Sequence, residues 1–272
     1  MALTRLAIIV VSAAAAYAGQ AGGIDVQDII RKSVAATAAN WKEAPKYAFI
    51  ERDITSKKNR AKTTKTYEVL MIEDSPYERL LAVNDRPLSV QEQQAEIQKL
   101  QAEINNRQHE SARDRKRRIG KYERERMQDQ AMMREMGDAF NFRLIAETKI
   151  DGRDTYQFEA TPKPGYVPKT HETKVLLGMK GTLWVDKDSY QWAKVEAEVV
   201  RPVSFYGIAK VAPGTCFELE QKPLTANLWM PTHFAVRVNA SALGFINENS
   251  TDDETYRDYR PMSKTVELQA MR

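Results

Sequence analysis

One cysteine and three histidines among 272 residues leave little material for disulfides or metal centres. Cys216 has no second thiol for an internal bridge, and its strand-like surroundings suit a small buried hydrophobe better than a reactive group. His109, His171 and His233 fall in a charged helix, a loop and a strand, without the close pairings of zinc ligands, so no metal is expected. A P-loop, a dinucleotide fingerprint and a nucleophile elbow are also missing, so neither catalytic residues nor a cofactor are expected. The 41 Lys and Arg nearly balance the 37 Asp and Glu: a net +4 does not by itself imply nucleic acid, and no such partner is expected. No segment beyond the N-terminus approaches the ~20 apolar residues that a membrane-spanning helix needs.

What is present at the start of the chain has an order of its own. A short positive stretch ending at Arg5, an uncharged apolar run over 6–15 and the small-x-small triplet Ala16-Tyr17-Ala18 read as a secretory signal peptide, residues 1–18, cleaved before Gly19. No cysteine stands immediately after that junction, so the expected product is an exported, periplasmic, non-lipidated chain of residues 19–272, in one domain.

The period of the hydrophobic pattern then divides the chain. A helix is expected over 24–41, with Asp25 as N-cap and Val26, Ile29, Ile30, Val34, Ala38 and Trp41 at helical spacing. Strands follow at 46–53, 65–73 and 77–83. Ser89-Val-Gln-Glu92 fits a capping box and opens a helical region. Further strands are expected at 142–150 and 154–161 around the Asp151-Gly152 turn, then a long loop over 162–178. Six strand-like runs occupy 179–260, with Gly181 and Gly207 read as strand irregularities. Alternation there puts Leu183, Val185, Val195, Ala197, Phe217, Leu219, Phe234 and Val236 on one apolar face. What hides that face, a helix, a second sheet or a hydrophobic ligand, decides the function.

The helical region over 89–140 is a charged insertion. Its apolar stripe of Val90, Ile97, Leu100 and Ile104 vanishes over 107–126, where Arg107, Arg113, Arg115, Lys116, Arg117, Arg118, Lys121, Arg124 and Arg126 outnumber Glu110, Asp114, Glu123 and Glu125. A helical hairpin or bent helix is expected, with Gly120 as the break. Its cationic middle is either a solvated face or a docking site for an anionic membrane surface or an envelope protein.

The exported start, the first helix, the strand pair ending in Asn84-Asp-Arg-Pro-Leu-Ser89, and the runs Gly181-Thr-Leu-Trp-Val-Asp186 and Leu228-Trp-Met-Pro231 together resemble periplasmic proteins of the outer-membrane lipoprotein carrier (LolA-like) type. The resemblance implies an α+β fold, predominantly antiparallel β: a strongly curved, unclosed half-barrel with helices covering its concave face. It also implies an apolar cavity, for which the eight side chains above are the candidates, holding a lipid or an acylated protein without chemistry. An envelope-sensing or protein-interaction module of the same fold is the alternative. The long basic segment departs from the compact family pattern.

Overall fold

In the computed structural model of the chain, residues 23–57, 61–205, 209–242 and 246–262 are described. The expected signal peptide and Gly207 lie outside them.

Helix α1 (Val26–Glu43) starts where expected: the Asp25 carboxylate accepts from the Asp28 amide and so satisfies one of the free N–H groups of the first turn. After a 3-10 turn at Ala44–Lys46 come β1 (Tyr47–Lys57), β2 (Thr63–Ile72), β3 (Ser75–Val83) and the two-residue β4 (Arg86–Pro87). The Ser89 capping box forms as read, with both reciprocal bonds present, and opens α2 (Val90–His109). Helix α3 (Ala112–Ala139) follows directly. The break between them falls at Glu110 and Ser111, not at Gly120, because the Ser111 hydroxyl accepts from the Asp114 amide and caps a new helix. Gly120 lies inside α3.

Strands β5 (Phe140–Ile150) and β6 (Arg153–Pro162) pair across Asp151-Gly152, both residues with positive φ, as a tight hairpin requires. The long loop ends in a 3-10 helix, Glu172–Gly178. There follow β7 (Met179–Asp186), β8 (Trp192–Val199), the short β9 (Val203–Phe205) and β10 (Ala209–Val211), then β11 (Cys216–Pro223), β12 (Trp229–Ala242) and β13 (Ile246–Pro261). Seven strands thus occupy the stretch where six runs were expected.

All the strands belong to one antiparallel sheet in the order β4-β3-β2-β1-β13-β12-β11-β8-β7-β6-β5, with β10 attached to β12 and β9 to β10. The sheet does not close: the fold is an unclosed half-barrel of α+β class. Its seam is β1 against β13, which joins the first strands to the later meander. Gly181 is no irregularity. It sits in continuous ladder with Ala160 and Ala197, and an added Cβ would meet the Glu196 carbonyl oxygen at 2.5 Å, so only glycine allows this close approach of β7 to β8.

Following side-chain parity across the pairings separates two faces. Phe158, Leu183, Val195, Leu219, Phe234, Glu254 and Asp53 are successive partners and share one face. Helix α1 covers part of it, placing Ile29 and Ile30 against Phe158, Leu183, Val185 and Trp192. Helix α3 and the 3-10 helix cover another part, where Ala139, Val175 and Leu176 meet Ala160, Met179 and Val199. Helix α2 lies on the other face: Leu100 and Ile104 pack on Ala48, Leu70 and Ile72, which alternate with Phe49 and Val69. The helical insertion therefore passes around the end of the β2–β3 hairpin, with one helix on each side of the sheet.

Candidate functional site

The eight apolar candidates do share a face, and they divide into three situations along it. Leu183 and Val185 are sealed beneath α1, and Val195 packs beside them. Ala197 and Phe217 pack against the cluster under α3 and the 3-10 helix. Leu219, Phe234 and Val236 are only half-buried and stand outside the three packed clusters. Leu219 lies opposite Phe234, and Phe217 opposite Val236, so these side chains form one short apolar strip across β11 and β12. The next pairs outward are Phe234 with Glu254 and Val236 with Asp252, where the face turns acidic.

That acidic end is crowded. Burial, followed by the neighbouring charges of Glu254, Glu78 and Asp53, pushes the Glu51 carboxyl up to about 7. Burial likewise raises Glu254, although the Tyr256 hydroxyl donates to it. Phe49 meets Tyr256 edge-on and Tyr259 at a tilt, with ring centroids 5.9 and 5.3 Å apart.

A groove of about 570 Å³ opens on the opposite face, across β6, β7, β8, β11, β12 and β13. Its walls carry the alternate, polar set, among them Lys180, Glu196, Glu198, Glu218 and Arg237. Of the apolar candidates, Ala197, Phe217 and Val236 also reach it. Lys194 bridges Glu196 and Glu218 at 2.9 Å each and Glu220 at 3.2 Å. Burial alone would lower the Lys194 pKa, but these three carboxylates hold it above its ordinary value. Cys216 belongs to this polar side: it is half-buried, not a core residue, and its thiol reaches the Gly214 carbonyl at 3.4 Å.

The nine cations of the insertion fall into two groups. Arg107 is buried and donates to the Ile72 and Ser75 carbonyls at 2.9 Å, to Ser75 Oγ at 3.0 Å and to the Pro76 carbonyl at 3.2 Å. Arg115 forms ion pairs with Glu73 and Asp74, both at 2.8 Å. Arg118 donates to the Glu73 carbonyl at 2.9 Å and to Ser75 Oγ at 2.6 Å, and pairs with Glu110. Together these three grip the β2–β3 turn from α2 and α3. Arg126 donates to the Trp41 carbonyl and lies over the rings of Trp41 and Tyr122, tying α3 to α1. Arg113, Lys116, Arg117, Lys121 and Arg124 are exposed.

Sequence reasoning missed a polar seam beneath α1. Ser33, Thr37 and Asn40 are buried on the helix face that also carries Ile29 and Ile30. Ser33 accepts from the Trp192 indole at 3.1 Å, and Asn40 donates to Gln191 at 2.8 Å and accepts from the Trp229 amide at 3.2 Å. Asp186, fully buried, accepts from Arg153 and Ser189; these bonds outweigh burial and lower its pKa. Trp192 and Trp229 thus anchor α1, and Asp186 at the end of the 181–186 run anchors the β7–β8 turn. The Ser33, Thr37 and Asn40 spacing was a visible signal for this buried polar row.

His109 contacts the Asn105 carbonyl at 2.8 Å, and His233 lies 3.4 Å from Asp253. No group of three or more His, Cys, Asp or Glu among the described residues is disposed to hold a metal ion.

No protein-family model and no curated protein matches the chain. Among solved structures the chain is similar to a LolA superfamily protein of Nitrosomonas europaea, with 13% identity, 89% of this chain and 97% of that one covered, and a TM-score of 0.32. It is also similar to an outer-membrane lipoprotein-sorting protein domain of Vibrio parahaemolyticus, with 12% identity, coverage of 89% and 100%, and a TM-score of 0.33. A chain of the Pseudomonas aeruginosa MucA/MucB complex aligns with 12% identity, coverage of 88% and 100%, and a TM-score of 0.23.

Proposed function

We propose that this is a noncatalytic, carrier-type binding protein of the periplasm that holds an apolar group of a lipid or an acylated protein. The supporting observation is the half-buried strip of Leu219, Phe234 and Val236, which lies beyond the packing of α1 and α3. Completing the burial of such half-buried side chains recovers about half of the ~1.5–3 kcal/mol of full burial, roughly 1 kcal/mol each, which makes the strip a preferred seat for an acyl chain. Leu183, Val185, Val195, Ala197 and Phe217 are then the packed base of the site. Export by cleavage after residue 18 belongs to the same reading, as does one domain over 19–272. No helix among the described residues is long and apolar enough to cross a membrane.

A second reading, an envelope-sensing or protein-interaction module, is favoured by the polar groove on the opposite face, which suits a peptide better than a hydrocarbon chain. Mass spectrometry of organic extracts from the natively purified protein separates the two. A stoichiometric lipid that is lost in Phe234→Ala, with the circular dichroism of the wild type retained, is the expected result. Absence of any extractable lipid, together with no uptake of a fluorescent fatty acid, would sink the lipid reading and leave the groove as the place to seek a partner.

A further inference from the structure

The division of the insertion's cations has a geometric basis. At about 100° per residue, Arg115, Arg118, Tyr122 and Arg126 fall on the side of α3 that faces the protein, while Arg113, Lys116, Arg117, Lys121 and Arg124 fall within an arc of about 140° on the other side. Asp114, Glu123 and Glu125 flank this arc without entering it. Arg117 pairs with Asp114 at 2.7 Å and Lys121 approaches Glu125 at 3.8 Å, with both cations 74% exposed, so these contacts are readily exchanged for others. Arg113, Lys116 and Arg124 form no ion pair among the described residues. Met127, 68% exposed, falls in the same arc. The row from Arg113 to Arg124 is about 16 Å long on one helix surface.

We propose that this outward row of α3 docks the protein onto a membrane bearing anionic phospholipids. A straight row of guanidinium and ammonium groups suits a plane of phosphate headgroups, and an apolar side chain at its end has an acyl boundary to enter. A partner protein would be expected to offer the row a pocket for its anchors, yet the row carries one exposed apolar residue only. The inward cations do not take part, because they are bound to the β2–β3 turn and to α1. The inference stands apart from the apolar strip: a protein that retains no lipid could still dock.

The test is co-sedimentation of the full chain with phosphatidylglycerol/phosphatidylcholine vesicles and with pure phosphatidylcholine vesicles, across ionic strength. Expected is binding to the anionic vesicles alone, weakening steeply with salt as the Debye length shortens from ~10 Å. A variant with all five outward cations changed to Gln should lose about 3,000-fold in partition coefficient, at about fivefold per cation. Arg118→Gln, by contrast, should lower the melting temperature but leave vesicle binding within twofold while folded. Equal binding by wild type and the five-Gln variant, salt-insensitive binding, or no binding to anionic vesicles would each overturn the proposal. Capture of soluble polyglutamate without vesicle binding would overturn it in favour of an acidic protein partner.

Discussion

Replacing Arg107 by Met should unfold the clasp around the β2–β3 turn while preserving most of the side-chain volume. The guanidinium is 8% exposed as a residue and serves three backbone carbonyls, the Ser75 hydroxyl and Glu103. Removing one member of a buried charged network costs about 3–5 kcal/mol, because the carbonyls left behind lose donors that water cannot fully replace. For a chain of this size each kcal/mol lowers the midpoint by about 2–4 °C, so a fall of roughly 6–20 °C is expected. Urea unfolding followed by circular dichroism gives the free energy, with Arg113→Met as comparison. Arg113 is exposed and should change stability by no more than about 0.5 kcal/mol. Equal effects of the two substitutions, or a loss below about 1 kcal/mol at Arg107, would refute the partition of the basic segment into inward and outward cations.

Two further outcomes follow from the fold. Glu51 ionises in the folded state at about 7 against an ordinary 4.5, so the folded protein binds this proton more tightly; its contribution is greatest below 4.5 and is lost as pH rises to about 7. Allowing for partial exposure, that loss is about 1–2 kcal/mol, and Glu51→Gln should flatten the stability profile between pH 4.5 and 7; an unchanged slope would show that the carboxyl titrates normally. Gly181→Ala should cost about 2–3 kcal/mol, since β8 must move to clear the Glu196 carbonyl. Urea melts showing a change under 0.5 kcal/mol would mean the two strands separate freely there.

Local chemistry was legible in the sequence, and long-range geometry was not. The alternation through Leu183, Val195, Phe217 and Phe234 identified a shared face, because period two is set by the strand backbone whatever its neighbours are. The caps at Asp25 and Ser89 and the Asp151-Gly152 turn were visible for the same reason. Ser111 and Asp114 carried a capping signal too, but it was hidden inside a run of charges, and Gly120 drew the break instead. The two fates of the nine cations were not legible: Arg107 meets Ser75 only after the chain has turned through three elements. Nor could composition say that the apolar row at Leu183 is closed by α1 while the same row at Phe234 is not. That difference depends on where α1 ends, not on the strands themselves.

The β1–β13 seam sets an order of events. Ala48 and Arg260 are direct partners across the sheet, so β1 keeps an open edge until residues made some 200 positions later arrive. Pairings of such sequence separation form slowly, since the entropy of closing the loop is lost before the contacts compensate it. Until then β1 to β3 and the later meander are two incomplete sheets, each with an edge able to take up a foreign strand. A chain built this way cannot complete its sheet until β13 has been synthesised. That makes a holding chaperone most useful before β13 has been delivered.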